Sequence, residues 1–323
     1  MSYERAAKFL QDVLPIEAVP GTSSIKAQVR KVGAQLAAHE YQAGEHYFDG
    51  HPLRLPDVPQ EHASHVMELD AGYVRAVPDR CDGRKSFGII TTRLIKPDGA
   101  AGWNAYVIEE TLSPLTRLHH FLHRQGVELD TPVAIISDGG EDVAYPTYLP
   151  WRPVQRILDW FHISMRFEHV LQRLRGLRKS EPEQAEAMLM CVASAKWRLW
   201  HGRAAASIER LTSILPQTTD ALNSRVGELI GYLENNRDRL TNYGVRYRSG
   251  LPISTSTAES AVESAIGDRF NKNRKMRWTP AGANVLLHIR VANLNGELAE
   301  ALKRRHSVRT RPANDSTFHL RAA

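Results

Sequence analysis

The order of extended and helical segments between residues 63 and 180 constrains the fold of this chain most strongly. Three β-branched segments follow one another across short turns, HVMELDAGYVRAV, KSFGIITTRLI and WNAYVIEE, which predicts three consecutive antiparallel strands. The segment SPLTRLHHFLHRQG is typical of a helix stopped by Gly126. Two more strands, PVAIISDGG and VQRILDW, then alternate with helical segments, and the continuous apolar run in the first is typical of a strand buried on both faces.

This order predicts an α/β fold with a mixed sheet, three antiparallel strands and then parallel strands, flanked by helices. RNase H-like cores have the same order. Residues 181–250 are helical in pattern throughout and are expected to form an all-helical insertion, after which residues 251–305 form closing helices.

Both ends of the chain are expected to lie outside this core. Residues 1–62 show two short helices around a Gly-containing turn and then a linker rich in Pro and His. The helices fit a helix-turn-helix, and they also fit a helical hairpin that binds nothing. Residues 306–323 lack apolar periodicity and are expected to form a disordered basic tail.

Positive charge is concentrated towards the C-terminus. The chain carries a net charge of +6, and residues 264–323 alone hold 12 Lys or Arg against 4 Asp or Glu. A basic end on a nearly neutral body suggests a nucleic acid partner, although a solvated helix with a basic tail would carry the same charge. No apolar run reaches the length of a membrane span, and the start lacks the apolar core of a signal peptide. We therefore expect a cytoplasmic protein without a membrane partner.

Three acidic residues stand where a sheet could bring them together. Asp70 lies near the middle of the first strand, Asp138 ends the strand AIISD, and Glu259 begins a helix. Carboxylates at neighbouring strand ends can share hard cations that prefer oxygen ligands. Two such ions can promote phosphodiester chemistry without a nucleophilic side chain.

Each of these acids also has a purely structural explanation. Asp138 precedes two glycines in a favourable turn sequence, and Asp70 can point at solvent. The segment STAE that ends at Glu259 matches a capping box. Glu263 lies one turn beyond Glu259 on the same helix face and is a rival for the third position.

A D-x-x-H segment, Asp159 to His162, stands at a strand-to-helix junction. Aspartate there fits a helix N-cap followed by core residues. The alternative is that His162 lies near a scissile phosphate, where it aids catalysis electrostatically or by proton transfer.

Several segments together resemble bacterial insertion-sequence transposases of the ISKra type, from about residue 60 to about residue 305. They are LDAGYVRA, IISDGGEDV, ILDWFHISMRF, AKWRLWHG, NYGVRYRSGLPISTSTAESAVESAIGDRFNKNRKMRWTPAGA and LLHIRVANLN, with DWFH, WHG and MRWTP in the order found in that family. The resemblance implies a DDE enzyme with an RNase H-like catalytic domain. Its acidic triad would be Asp70, Asp138 and Glu259, which hold two Mg²⁺ or Mn²⁺ ions. Glu259 is thereby preferred to Glu263, and His162 joins the catalytic residues.

The resemblance also implies partners. DNA, as element ends and as target, would be cleaved and joined, and synapsis of two ends suggests a homodimer or higher oligomer. Four basic residues after Glu259 would contact the phosphate backbone: Arg269, Lys272, Lys275 and Arg277.

Two other functions stay open. Members of the family usually have a longer N-terminal region, so the chain could be a truncated copy that inhibits transposition by binding DNA or a full-length relative. A host nuclease of the RNase H-like fold is the second alternative, and it would stop at hydrolysis.

Overall fold

A computed structural model describes residues 2–13, 20–45, 65–77, 83–108, 113–128, 131–140, 154–215, 220–255, 270 and 276–310. The strands are β1 His65–Arg75, β2 Ser86–Ile95, β3 Ala101–Val107, β4 Val133–Ser137 and β5 Val154–Leu158. The helices are α1 Tyr3–Val13, α2 Thr22–Glu45, α3 Pro114–Arg124, α4 Trp160–Leu177, α5 Pro182–Trp200, α6 Ala204–Thr212, α7 Asp220–Asn235, α8 Tyr243–Arg248, α9 Pro280–Leu294 and α10 Leu298–Thr310.

The five strands form one mixed sheet in the order β3-β2-β1-β4-β5. β1 is antiparallel to β2 and β2 to β3, whereas β4 is parallel to β1 and β5 is parallel to β4. The predicted antiparallel strands followed by parallel strands are therefore confirmed, with the first strand at the centre. All five residues of β4 are buried, as expected for a strand covered on both faces.

Helices cover both faces of the sheet. On one face, α3 packs Leu118 and Leu122 against Met67 and Leu69 of β1. Alternate residues of a strand point to opposite faces, so the even-numbered residues of β1 lie on the other face. There α4 to α7 pack against β4 and β5, and α9 packs against β3.

The second face carries two separate apolar clusters. The first joins Ile136 and Ile157 to Phe167 of α4, and the second joins Val74 to Leu287 of α9. Between the two clusters runs a stretch of polar side chains from β1 and β2, composed of Glu68, Asp70, Thr91 and Arg93. On this face a polar strip therefore separates the two apolar clusters.

The N-terminal helix α2 packs against the closing helix α9. Their backbones touch at Gly33, where a Cβ would lie 2.1 Å from the carbonyl oxygen of Val285. α2 runs on to Glu45, past the point where the linker was expected, because its later residues, such as the buried Glu40, also pack on the core. The rest of the expected linker lies outside the described residues, and DNA reading by α1 and α2 stays a prediction.

The closing helices expected in residues 251–305 include α9 and the start of α10. Thr279 caps α9 by accepting a hydrogen bond from the N–H of Gly282. The two helices are separated at Gly296, whose φ is +71°, next to Asn295, whose side chain bonds the backbone of Trp103 in β3. α10 continues to Thr310, so the beginning of the expected disordered tail is helical, because a helix already formed over the preceding residues gains one hydrogen bond for each residue it adds.

The expected helical insertion contains α5 to α8 and no strand among its described residues. None of the helices in the described ranges combines the length and the apolar content that crossing a membrane requires.

Candidate active site

Three aspartates lie at equivalent positions on three adjacent parallel strands. The last β1–β4 pair is Glu68 with Ile136, and the last β4–β5 pair is Ser137 with Leu158. Continuing these registers places Asp70, Asp138 and Asp159 in one row, with Asp138 and Asp159 directly after the carboxyl ends of β4 and β5. Because side chains alternate along a strand, the row belongs to the face that carries the polar strip.

Asp70 occupies the β1 position of this row and is half-buried. Its carbonyl oxygen accepts a hydrogen bond from Thr91 Oγ1 at 3.2 Å, which holds the backbone in the sheet. Two residues further along the same face, a Cβ on Gly72 would meet no atom of the described residues within 4 Å.

Asp138 makes the turn that its sequence predicts. Its Oδ1 accepts a hydrogen bond from the N–H of Gly140 at 2.8 Å, and Gly139 has a φ of +79°. A Cβ at Gly139 would lie 2.6 Å from Asn236 Oδ1, so both conformation and space favour glycine. Tyr232 Oη donates to the Asp138 carbonyl at 2.8 Å. The Asp138 Oδ2 accepts no hydrogen bond from the described residues, which leaves it available to a ligand.

Asp159 is the fully buried member of the row. It caps α4 by accepting a hydrogen bond from the N–H of Phe161 at 2.7 Å, which confirms the N-cap interpretation. Its other oxygen accepts hydrogen bonds from the N–H and Oγ1 of Thr255 and from His162 Nδ1 at 3.2 Å. Burial raises the pKa of this carboxyl, but the hydrogen bonds from His162 and Thr255 outweigh it, so the pKa lies below its ordinary value.

His162 stands one turn into α4, with its side chain 25% exposed. Because a carboxylate only accepts hydrogen bonds, Nδ1 donates to Asp159, and Nε2 has no hydrogen-bond partner among the described residues. The hydrogen bond to Asp159 raises the pKa of His162, burial opposes it, and the negative charges of Asp159, Asp138 and Asp70 raise it further. Asp70 and Asp138 thus both lie within electrostatic range of this imidazole.

The pKa of His162 therefore reports the geometry of the row. We expect Asp159→Asn to lower this pKa most, because it removes the charge that bonds the ring, and Asp138→Asn and Asp70→Asn to lower it by smaller amounts. NMR titration of the His162 ring protons measures each shift, with Asp98→Asn on an exposed turn as the control. If Asp138→Asn and Asp70→Asn left the His162 pKa unchanged, the two strand carboxylates would not face this histidine.

The segment that contains Glu259 is fixed at both ends beside this row. At one end Thr255 bonds Asp159, and the carbonyl of Ile253 accepts a hydrogen bond from the N–H of Trp160 at 3.0 Å. At the other end Trp278 pairs with the end of β1 through a hydrogen bond from its N–H to the carbonyl of Arg75 at 2.9 Å. Glu259 and its rival Glu263 lie between these anchors, outside the described residues, so the identity of the third acid stays a prediction.

Most of the predicted phosphate-binding residues also fall in that segment. Arg269, Lys272 and Lys275 lie outside the described residues, whereas Arg277 is described and exposed. Arg277 precedes Trp278, which stacks on the buried Phe270 with ring centroids 4.8 Å apart. A core contact thus fixes the backbone at Arg277 and leaves its charged group at the surface.

Sequence reasoning missed two residues that hold the row in place. Thr255 anchors Asp159 from 96 positions away, and Tyr232 reaches the Asp138 carbonyl from 94 positions away. No local pattern marks either residue, since their partners are set by how the helical layer docks on the sheet.

The described residues do not complete a metal centre by themselves. Within these ranges, no three His, Cys, Asp or Glu side chains are grouped closely enough to hold a metal ion. A centre built on Asp70 and Asp138 would therefore need a ligand from another part of the chain. Comparison of the sequence with models of known protein families and with curated proteins finds no match.

Proposed function

We propose that the protein is a transposase with an RNase H-like core, which cleaves phosphodiester bonds at element ends and joins the resulting 3′-hydroxyls to target DNA. The observation that carries the proposal is the placement of Asp70 and Asp138 at equivalent positions on adjacent parallel strands, within electrostatic range of His162. The strand order β3-β2-β1-β4-β5, with β1 central, supports the RNase H-like assignment. The type of reaction is inferred from the resemblance to ISKra-type transposases.

The chemistry of the row suits Mg²⁺ or Mn²⁺, which prefer carboxylate oxygens. Asp70 and Asp138 would hold the ions together with Glu259. Within the turn, Asp138 Oδ1 bonds the N–H of Gly140, and Oδ2 would be the oxygen that binds an ion. When bound, a pair of such ions activates the attacking oxygen and stabilises the leaving oxygen of a phosphodiester. In this proposal Glu259 is the ligand that the described residues lack.

The neighbouring side chains would position and neutralise the DNA. Asp159 holds His162 by its Nδ1, so Nε2 can contact a phosphate oxygen, and the carboxylate of Asp159 raises the pKa of His162. Arg277, with Arg269, Lys272 and Lys275, would contact phosphates along the duplex, which gives affinity that depends on salt but not on sequence. Two DNA ends held together would require at least a homodimer.

The two reactions are the same exchange with different nucleophiles. In cleavage, a water oxygen bonds to phosphorus and the 3′-oxygen leaves with a proton. In strand transfer, that 3′-hydroxyl attacks a target phosphodiester, so one bond from phosphorus to oxygen forms as another breaks. A host nuclease would perform the first exchange only.

Metal binding tests the proposal first. We expect Asp70→Asn, Asp138→Asn and Glu259→Gln each to weaken Mn²⁺ binding by at least 10- to 100-fold, the loss typical even for residues that only support a ligand. Isothermal titration calorimetry measures the affinity, and Glu263→Gln and Asp98→Asn are the matched controls. Unchanged Mn²⁺ binding in the three variants would mean that the acids serve only as turn and capping residues. Loss in Glu263→Gln instead of Glu259→Gln would move the third ligand by one turn.

Strand transfer tests the reaction class. The wild-type protein is expected to join a labelled DNA end to a plasmid in Mg²⁺, and Asp70→Asn is expected to abolish joining and cleavage together. Cleavage without joining would identify a hydrolytic nuclease. DNA binding without either reaction would support an inhibitory copy.

A further inference from the structure

Two pairs of aromatic side chains lie on the helical layer. Trp197, Trp200 and His201 are three and four positions apart at the end of α5, and Tyr247 lies on α8. The rings of Trp197 and His201 are 4.6 Å apart, and those of Trp200 and Tyr247 are 5.8 Å apart. We call these four residues the aromatic surface. Trp197 is 64% exposed and Tyr247 is 65% exposed, so most of each of these two side chains is accessible to solvent.

The aromatic surface is connected to the candidate active site. The ring of Trp200 packs 4.9 Å from that of Trp160, the residue that follows Asp159. Trp160 in turn packs 4.8 Å from the ring of Tyr243, which bonds the carbonyl of Leu158 at the end of β5. A chain of ring contacts therefore leads from the carboxyl end of β5 to the exposed Tyr247.

Backbone geometry holds α8 against this chain of rings. A Cβ on Gly244 would lie 2.7 Å from Trp200 Nε1 and 3.2 Å from Arg248 Nη1. Glycine at this position thus lets the indole and the guanidinium approach one another over the helix. The arrangement places a cation at the edge of the aromatic surface.

The surroundings of the aromatic surface are basic. No Asp or Glu occurs in the sequence from residue 187 to 208 or from residue 239 to 258. The exposed Arg203 and Arg248 make no ion pair with any described carboxylate, whereas the exposed Arg175 and Arg178 do. The half-buried Arg198 bonds Ser194 within its own helix. Exposed rings beside guanidinium groups favour a ligand with flat apolar groups on an anionic backbone.

We propose that the aromatic surface binds unpaired nucleotides of single-stranded DNA, whose bases stack on Trp197 and Tyr247 while the nearby arginines contact the phosphates. Single-stranded nucleic acid combines an exposed π-face on each base with one charge per phosphate, and proteins bind it by this combination of stacking and charge. A duplex hides its base faces, so it would gain from the arginines alone. The inference rests on the proposed function and extends it, because it assigns a binding site to the nucleotides that are unpaired near a cleaved end.

Binding without divalent metal tests the surface separately from catalysis. The probe is a fluorescein-labelled twenty-nucleotide thymidine oligomer, alone or annealed to its complement, and anisotropy is read in EDTA. We expect the wild-type protein to bind the single strand more tightly than the duplex. Trp197→Ala and Tyr247→Ala are each expected to weaken single-strand binding by roughly 5- to 150-fold, the range measured for loss of one base stack.

Matched variants isolate the ring faces. Trp197→Phe is expected to restore most of the affinity, because phenylalanine keeps a stacking face. Met190→Ala, 69% exposed on the same helix, is expected to bind as the wild type does. Equal binding of the single strand by wild type, Trp197→Ala and Tyr247→Ala would overturn the proposal, as would an equal loss of single-strand and duplex affinity in the two variants.

The outcome is independent of the metal centre. The surface variants are expected to titrate Mn²⁺ like the wild type, and Asp70→Asn is expected to bind the single strand like the wild type. If the surface variants bound the single strand like the wild type while Mn²⁺ binding was intact, the aromatic-surface proposal would be wrong and the proposed function would be unaffected. If the protein bound the single strand through this surface but did not bind Mn²⁺, the proposed function would be wrong and the aromatic-surface proposal would be supported.

Discussion

Replacing Asp159 with alanine is expected to lower the free energy of unfolding by about 3–7 kcal/mol. The change removes the N-cap of α4, worth about 1 kcal/mol. It also leaves the N–H and hydroxyl of the buried Thr255 without their acceptor, which costs about 1–3 kcal/mol for each buried group. Urea denaturation followed by circular dichroism measures the loss.

Two further variants separate the causes. Asp159→Asn has a single acceptor oxygen, so its N–H₂ group faces either the N–H of Phe161 or Thr255 while the other keeps an acceptor, and its loss should be intermediate. Asp98→Ala removes an exposed turn hydrogen bond to the N–H of Ala100 and should cost much less. A loss below about 1 kcal/mol for Asp159→Ala, no more than an ordinary N-cap, would show that Asp159 does not anchor Thr255.

The contribution of Asp159 should depend on pH in a defined window. Its folded pKa lies below the ordinary value of 3.8, so its stabilisation is present above that pH and is lost as pH falls through the folded pKa. The folded pKa of His162 lies above its ordinary value of 6.5, so its stabilisation is full below that pH and is lost as pH rises through the folded pKa. The difference in stability between wild type and Asp159→Ala should therefore be largest between about pH 4 and pH 6.5.

Removal of Glu40 is the second change with a large expected effect. This buried carboxylate of α2 lies 2.9 Å from His288 Nδ1 of α9 and 3.8 Å from Arg117 Nη1 of α3. Arg117 also lies over the ring of Tyr106, 5.1 Å from its centroid. Glu40→Ala leaves these buried cationic and polar groups without their carboxylate, and removing one partner of a buried pair costs about 3–5 kcal/mol.

Denaturation with urea again measures the effect. The matched control is Glu297→Ala, which breaks the half-exposed pair with Arg124 and should cost no more than about 1 kcal/mol. Burial raises the pKa of Glu40, but its hydrogen bond to His288 and the charges of His288, Arg117 and Arg124 hold it below 4.5. The contribution of Glu40 is therefore present above pH 4.5 and is lost as pH falls through the folded pKa. Equal stability of Glu40→Ala and Glu297→Ala would contradict the buried cluster.

The local sequence pattern predicted the strands of the sheet well, because each strand can be recognised from its own side chains. The β-branched run of β2 and the continuous apolar run of β4 need burial whatever else the chain does. The parallel register then placed Asp70 and Asp138 together, as their order along the chain had suggested. Helix ends were harder to predict. Packing on the core extends α2, and continuation of an already formed helix extends α10, beyond the residues with clear periodicity.

Long-range partners could not be predicted. Glu40 looks like an ordinary polar residue of an amphipathic helix, and only the docking of α2 on α9 gives it His288. Thr255 belongs to the run STST, where nothing singles out one hydroxyl for Asp159. The third acid depends on a segment whose two anchors are described and whose interior is not, so sequence remains the only guide to Glu259.

The contact between α2 and α9 has a consequence for biosynthesis. A ribosome adds about 5–20 residues per second, so α2 emerges well before residues 280–294, which it needs at Gly33 and Glu40. Until then Glu40 has Arg117 of α3 beside it but not His288, and the face of α2 around Gly33 has no α9 to pack against. A nascent chain released before α9 would therefore lack the surface on which α2 closes.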